Sequence, residues 1–315
     1  MNELKPRIEF YRQRTFTEKL NAVFDFIREN RRALLRYTFY VIMPVCLVQT
    51  FAMNTIYGSF LNLELRGAGG NPFETGTAGF IANFGVLLLC ILVGSAMISG
   101  LVYALMQTYA VRENRLEGVV FGDFSGRLVR NSLRCIALIV FMIVLFAFIV
   151  AFAGILAATA SERSLLLTVP FVIVLAFCML PLMLVMPTYL FERDLSFFQA
   201  FGKAWKLGTK TFWGMLGLMI VLYFISSVIQ TVTMLPWYIL MLVGTIFSVS
   251  ADSGLSQSVI YKFALYILGL IQTYGVYVSS VIAIIGLAFQ YFHAREKIEG
   301  VTIEQNISNF SSLGE

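Results

Sequence analysis

The sequence predicts an all-α polytopic membrane protein with six transmembrane helices and cytoplasmic amphipathic interfacial helices, arranged as three helix-hairpin repeats. Three observations carry this expectation. Six long stretches are almost free of Asp, Glu, Lys and Arg. The whole chain is 58% hydrophobic and only 13% charged, with a mean hydropathy of +0.80, far more apolar than a soluble domain. Its basic residues also fall overwhelmingly on one side of those stretches.

A bilayer core takes roughly 20 helical residues to cross. Segments 33–53, 81–106, 136–158, 165–190, 213–235 and 259–291 all reach that length. The last is long enough to tilt or to project beyond the lipid. The chain thus divides into an N-terminal amphipathic segment (1–32), a membrane domain (33–291) and a polar tail (292–315). No cleavable signal peptide precedes the first span, which is expected to act as an uncleaved anchor.

Alternate connections hold 20 Lys and Arg on one side and 3 on the other, these being Arg66, Arg163 and Lys262. The acidic residues divide 14 to 4, giving net charges of +6 and −1. Cytoplasmic flanks retain positive charge during insertion, so both termini are expected in the cytoplasm of a bacterial inner membrane. The net charge of +5 is therefore topogenic and implies affinity for anionic headgroups. It does not point to nucleic acid.

Each outward-going span is preceded by an amphipathic stretch. Segment 16–32 sets Phe16, Leu20, Val23, Phe24 and Ile27 at helical spacing among Lys19, Arg28, Arg31 and Arg32. Segment 121–134 sets Phe121, Phe124, Leu128 and Val129 against Arg127, Arg130 and Arg134. Segment 195–210 sets Phe197, Phe198, Phe201 and Trp205 against Lys203, Lys206 and Lys210. Three in-plane helices, each followed by a transmembrane hairpin, would make a weak internal repeat; a chance match among Phe-rich helices is the alternative. Arg28, Arg31, Arg32, Arg127, Arg130, Lys203, Trp205, Lys206 and Lys210 form the candidate lipid-headgroup or partner surface.

The outer connections are short except for 54–77, where Arg66-Gly67-Ala68-Gly69-Gly70-Asn71-Pro72 is turn-forming sequence. The tail carries Thr302-Ile303-Glu304-Gln305, a capping-box pattern that opens a short helix. That helix is expected to dock on its own chain or on a partner.

Little in the sequence can carry chemistry. His293 is the single histidine, which excludes multi-histidine metal sites and an HExxH protease. Cys46, Cys90, Cys135 and Cys178 lie in or beside spans without CxxC spacing and read as buried thiols. Glu192 and Asp194 flank Arg193, where local pairing or capping is the simpler account. The chain is accordingly expected to be no enzyme and to hold no metal or cofactor.

Prolines at 44, 170, 181, 187 and 236 read as kinks, or as the broken helices of a transporter. Tyr223, Ser226, Ser227 and Gln230 share a face of the fifth span, and Gln272, Gly275 and Ser279 a face of the sixth. They form either a polar groove for a substrate or hydrogen bonds between helices. Small residues four apart, Ser95 and Ser99, Ala96 and Gly100, Ser279 and Ala283, allow close helix approach.

The stretch Pro187-Thr188-Tyr189-Leu190-Phe191-Glu192, followed by Ala200-Phe201-Gly202-Lys203-Ala204-Trp205-Lys206-Leu207 and Phe212-Trp213, resembles the membrane domain of glycerophosphoryl diester phosphodiesterases and its stand-alone six-span relatives. Phe24-Asp25-Phe26-Ile27-Arg28-Glu29-Asn30 and His293-Ala294-Arg295-Glu296-Lys297-Ile298-Glu299-Gly300 resemble stand-alone members from Bacteroidota. In the fused enzymes, catalysis belongs to a soluble barrel with paired His and metal-binding carboxylates. This chain lacks such a barrel, so the resemblance implies a membrane module without a phosphodiesterase. The function expected is a non-catalytic scaffold or accessory subunit organising lipids or a second envelope protein; the rival is a transporter or channel for a lipid or small apolar molecule.

Overall fold

A computed structural model describes residues 7–65, 77–159, 177, 179–249 and 258–303. Among these residues every regular element is helical. Five helices are long and apolar enough to cross a membrane: α1 (Phe16–Leu65), α2 (Thr77–Val111), α3 (Phe121–Thr159), α6 (Phe212–Val249) and α7 (Val259–Glu299). Between α3 and α6 lie a 3₁₀ turn (Leu180–Leu184), α4 (Val185–Phe191) and α5 (Phe197–Lys210). Most of the predicted fourth span, residues 165–176 and 178, lies outside the described residues, as does Cys178.

Two of the three predicted interfacial helices are not separate elements. Segment 16–32 runs into α1 and segment 121–134 into α3 without a break. The reason is local: Arg31-Arg32-Ala33-Leu34-Leu35 and Arg134-Cys135-Ile136 contain no residue that stops a helix. Segment 197–210 does stand alone. Ser196 and Gln199 form a capping box at its start, and Thr211, at φ −119° and ψ 20°, interrupts the helix before α6. With 50 residues, α1 spans about 75 Å, well beyond a lipid core of about 30 Å. The supposed loop after residue 53 therefore begins as helix and continues so to Leu65.

The helices pack in the lateral order α3, α2, α1, α7, α6, so the last helix inserts between the first and α6. Pro44 and Pro236 sit inside continuous helices, α1 and α6. The first and last predicted hairpins, α1 with α2 and α6 with α7, do pair their own arms. The second arm of the middle hairpin falls largely outside the described residues. Close approach uses the small residues. A Cβ on Gly100 would come within 2.8 Å of the Ser132 backbone nitrogen of α3, and one on Gly275 would overlap Thr233 Oγ1 of α6. Small residues at 100 and 275 thus serve contacts within the chain.

The core is densest at the end where α1 begins and α7 finishes, called here the basic end. Phe26, Tyr103, Tyr109, Phe124, Phe289, Tyr291 and Phe292 are all fully buried there. A smaller cluster of Trp237, Tyr261 and Leu265 closes the far end. By contrast, α3 leaves Phe146, Phe148 and Phe152 exposed along its length.

Candidate functional site at the basic end

Residues 7–15 form a strap that lies across the basic end. Phe10 sets the position of this strap. Its ring stacks on Phe292 at 4.9 Å and meets Tyr109, Phe289 and Phe26 at 5.6, 5.9 and 6.2 Å. Such pairs add to the burial of a large apolar ring. The Arg14 backbone N–H donates to His293 Nδ1 at 3.0 Å, which requires that nitrogen to be without a proton. The Arg14 guanidinium lies over the Phe289 ring, 5.3 Å from its centroid. Burial, aided by the like charge of Arg12, pulls its pKa below the ordinary arginine value. Arg7 donates to the carbonyls of Tyr109 and Ala110 at the end of α2, where orphan carbonyls and the helix dipole both favour a cation.

Beside the strap lies a half-buried ionic network. Glu192 follows α4 directly and accepts the Tyr291 hydroxyl at 2.7 Å. It pairs with Lys203 of α5 at 2.6 Å and with Arg295 of α7 at 3.5 Å. Glu299 completes the ring, 2.9 Å from Lys203 and 2.8 Å from Arg295. Arg295 also donates to the Tyr11 hydroxyl at 3.2 Å. Burial keeps the Tyr11 phenol above its ordinary pKa and hence protonated. The network ties α4, α5, α7 and the strap together. Four of its members lie in stretches that carry the resemblance noted above, yet none was singled out as a network from sequence. At its edge Thr302 donates to Glu296 at 2.9 Å and to the Tyr11 carbonyl at 3.3 Å. The described start of the tail therefore docks on its own chain; residues 304–315 lie outside the described residues.

A third constellation is almost fully buried. Lys19 donates to Gln290 Oε1 at 2.8 Å, and Gln290 Nε2 donates to Thr211 Oγ1 at 3.1 Å. This chain of bonds joins α1 and α7 to the break between α5 and α6. Lys19, one of the basic residues set around the apolar positions of segment 16–32, is only 3% exposed.

The predicted basic surface is not one surface. Arg28, Arg31 and Arg32, with Arg36, line a cleft of about 720 Å³ between α1 and the turn at residues 112–120. None of the other six predicted surface residues lines it. Arg127 donates to Thr108 at 2.9 Å, and Lys203 is taken up by the ionic network. Arg130, Trp205, Lys206 and Lys210 remain exposed on α3 and α5. The turn is held on α1 at two points: the Tyr37 hydroxyl donates to the Val119 carbonyl at 2.6 Å, and Arg115 pairs with Glu29 at 3.0 Å. Arg115 takes φ +55°, an uncommon conformation for a residue with a side chain, and Gly118 takes φ +62°.

The predicted polar groove is largely a seam between helices. Ser226 donates to the Ser279 carbonyl at 3.1 Å and Gln230 to Ser279 Oγ at 3.0 Å. Tyr223 points away, 71% exposed, and Ser227 returns its hydroxyl to the Phe224 carbonyl of its own helix. Gln272 is set apart, its Oε1 buried without a hydrogen-bond partner. Cys46, Cys90 and Cys135 are buried free thiols. Among the described residues no three His, Cys, Asp or Glu side chains converge as a metal site would need.

The chain matches no known family model, no curated protein and no solved structure.

Proposed function

We propose that this protein is a non-catalytic, multi-pass scaffold or accessory subunit of a bacterial inner membrane, with both termini in the cytoplasm, that organises anionic lipids or a second envelope protein. One observation carries the reading: the ionic network beside the strap and the polar seam between α6 and α7 are engaged in holding helices together. Glu192, Lys203, Arg295 and Glu299 bind one another, and Ser226, Gln230 and Ser279 close the seam between α6 and α7. The surface turned outward at the basic end includes arginine, lysine and aromatic side chains, suited to headgroups and to a docked partner. The resemblance of 187–192, 200–207 and 212–213 to the membrane domain of glycerophosphoryl diester phosphodiesterases would fit the same reading, since in those enzymes catalysis belongs to a separate soluble barrel.

The test is purification from native membranes under mild detergent with crosslinking and mass spectrometry. A stoichiometric partner, crosslinked through α5 or the strap, supports the proposal. Repeated recovery of the chain alone counts against it. The rival, a transporter of a lipid or small apolar molecule, draws on the buried, unpartnered Gln272 Oε1. Substrate flux in reconstituted vesicles that disappears on Gln272→Leu would establish it instead.

A further inference from the structure

The cleft between α1 and the 112–120 turn has the makings of a binding site for one class of ligand. Arg28, Arg32 and Arg36 are spaced four residues apart and so share a face of α1 within about 12 Å of helix; Arg31 adjoins them. All four line the cleft and are exposed, and none forms an ion pair among the described residues. Arg115, the remaining arginine of the cleft, is spent on Glu29 and helps to fix the opposite wall. That wall presents Glu113 and Glu117, which also lack an ion pair among the described residues. Four open guanidinium groups facing two carboxylates favour a ligand with a phosphate at one end and hydroxyl donors at the other.

The helix itself indicates where that ligand comes from. Continuing each row by four residues, Arg31 is followed by Leu35 and Phe39, and Arg36 by Tyr40. These three apolar or aromatic side chains are 53%, 46% and 67% exposed. Basic cleft and bare apolar stripe are thus continuous on one helix, as they would be for a molecule with a phosphate head and hydrocarbon tails. A soluble phosphate would need the first and gain nothing from the second.

We infer that the cleft is a specific site for an anionic phospholipid with a hydroxylated headgroup, the phosphate on Arg28, Arg32 and Arg36 and the headgroup hydroxyls on Glu113 and Glu117. The inference rests on the reading that the basic end lies in the headgroup layer of a membrane. It is independent of whether a protein partner exists.

The experiment uses the purified full chain in mild detergent, titrated with phosphatidylglycerol in mixed micelles and read by native mass spectrometry of retained lipid. The expected result is preferential retention of phosphatidylglycerol over phosphatidylcholine, weakened about tenfold or more by R28Q/R32Q/R36Q and changed less than about twofold by R193Q/K297Q, at two exposed basic positions outside the cleft. E113Q/E117Q should lower the preference for phosphatidylglycerol over phosphatidic acid. Equal losses from both variants would overturn the site in favour of diffuse surface charge. Competition by inorganic phosphate or glycerol phosphate as strong as that by the lipid would overturn the lipid assignment. If the triple variant does not fold, R32Q alone, at an exposed position, must still weaken retention. Native co-purification of a partner with R28Q/R32Q/R36Q separates the failure of this site from the failure of the scaffold.

Discussion

The ring of Phe10 lies flat against that of Phe292, 4.9 Å away and 4° from parallel. Through this contact a segment with no regular structure closes over the most densely packed end of the bundle. Phe10→Ala should release the strap and cost about 2 kcal/mol of stability, since a half-buried aromatic ring is removed. Limited proteolysis should then cleave within residues 7–15 while leaving the helices intact. Unchanged protease resistance would show that the strap is held by Arg7 and Arg14 instead.

Glu192 holds two cations and a phenol at once, so its loss should be felt beyond one bond. Glu192→Gln is expected to cost about 3 kcal/mol, in the range for breaking a buried pair from one side. Lys203→Met should cost less, because Arg295 remains beside Glu192. The double variant should be more stable than the sum of the two predicts, a coupling that thermal denaturation in detergent can measure.

Gln230 and Gln272 should behave differently although the sequence presents them as a pair. Gln230→Leu removes a bond to Ser279 and should lower stability by about 1 kcal/mol. Gln272→Leu removes an oxygen that has no partner and should be neutral or stabilising. On the scaffold reading the double variant keeps its function once folded. Loss of function from Gln272→Leu in a folded protein would favour a transport pathway.

Gly100→Ala should drive α2 away from α3, at a cost of about 2 kcal/mol. Ser132→Ala should not rescue it, because the Ser132 backbone nitrogen, and not only its hydroxyl, stands in the way. Recovery of stability in that double variant would contradict the close approach.

Topology can be checked directly. Reporter fusions after Gly70, Arg163 and Ser253 should report the outside, and those after Asn114 and Lys203 the inside. A reversed pattern would overturn the cytoplasmic placement of the basic end and set the arginine cleft in the outer leaflet instead.

Five of the six predicted spans coincide with long apolar helices among the described residues, because periodicity and charge depletion are local signals. The third amphipathic segment is a separate helix because Ser196 and Gln199 cap its start and Thr211 interrupts its end, whereas the first two fuse with their spans because nothing at Arg32 or Arg134 stops them. The ionic network was not legible. Glu192 finds Lys203 11 residues away but Tyr291 only after 99, and no spacing rule links those positions. Lys19 misled for the opposite reason. Its place on a helical wheel is that of a solvated charge, and only the packing of Gln290 and Thr211 around it makes it interior. Arg36, at the margin of an apolar run, gave no sign that it continues a row begun by Arg28.

Helix α1 joins both ends of the molecule in a single unbroken rod. The arginines of the cleft and Asn54, which accepts the Trp237 indole N–H at 3.3 Å near the far end, are fixed to the same axis. A lipid bound at the proposed cleft would therefore bear on the depth and tilt of what is attached to the other end. A change in membrane thickness would then be met by leaning of the whole rod or by bending at Pro44, where the helix lacks one backbone hydrogen bond.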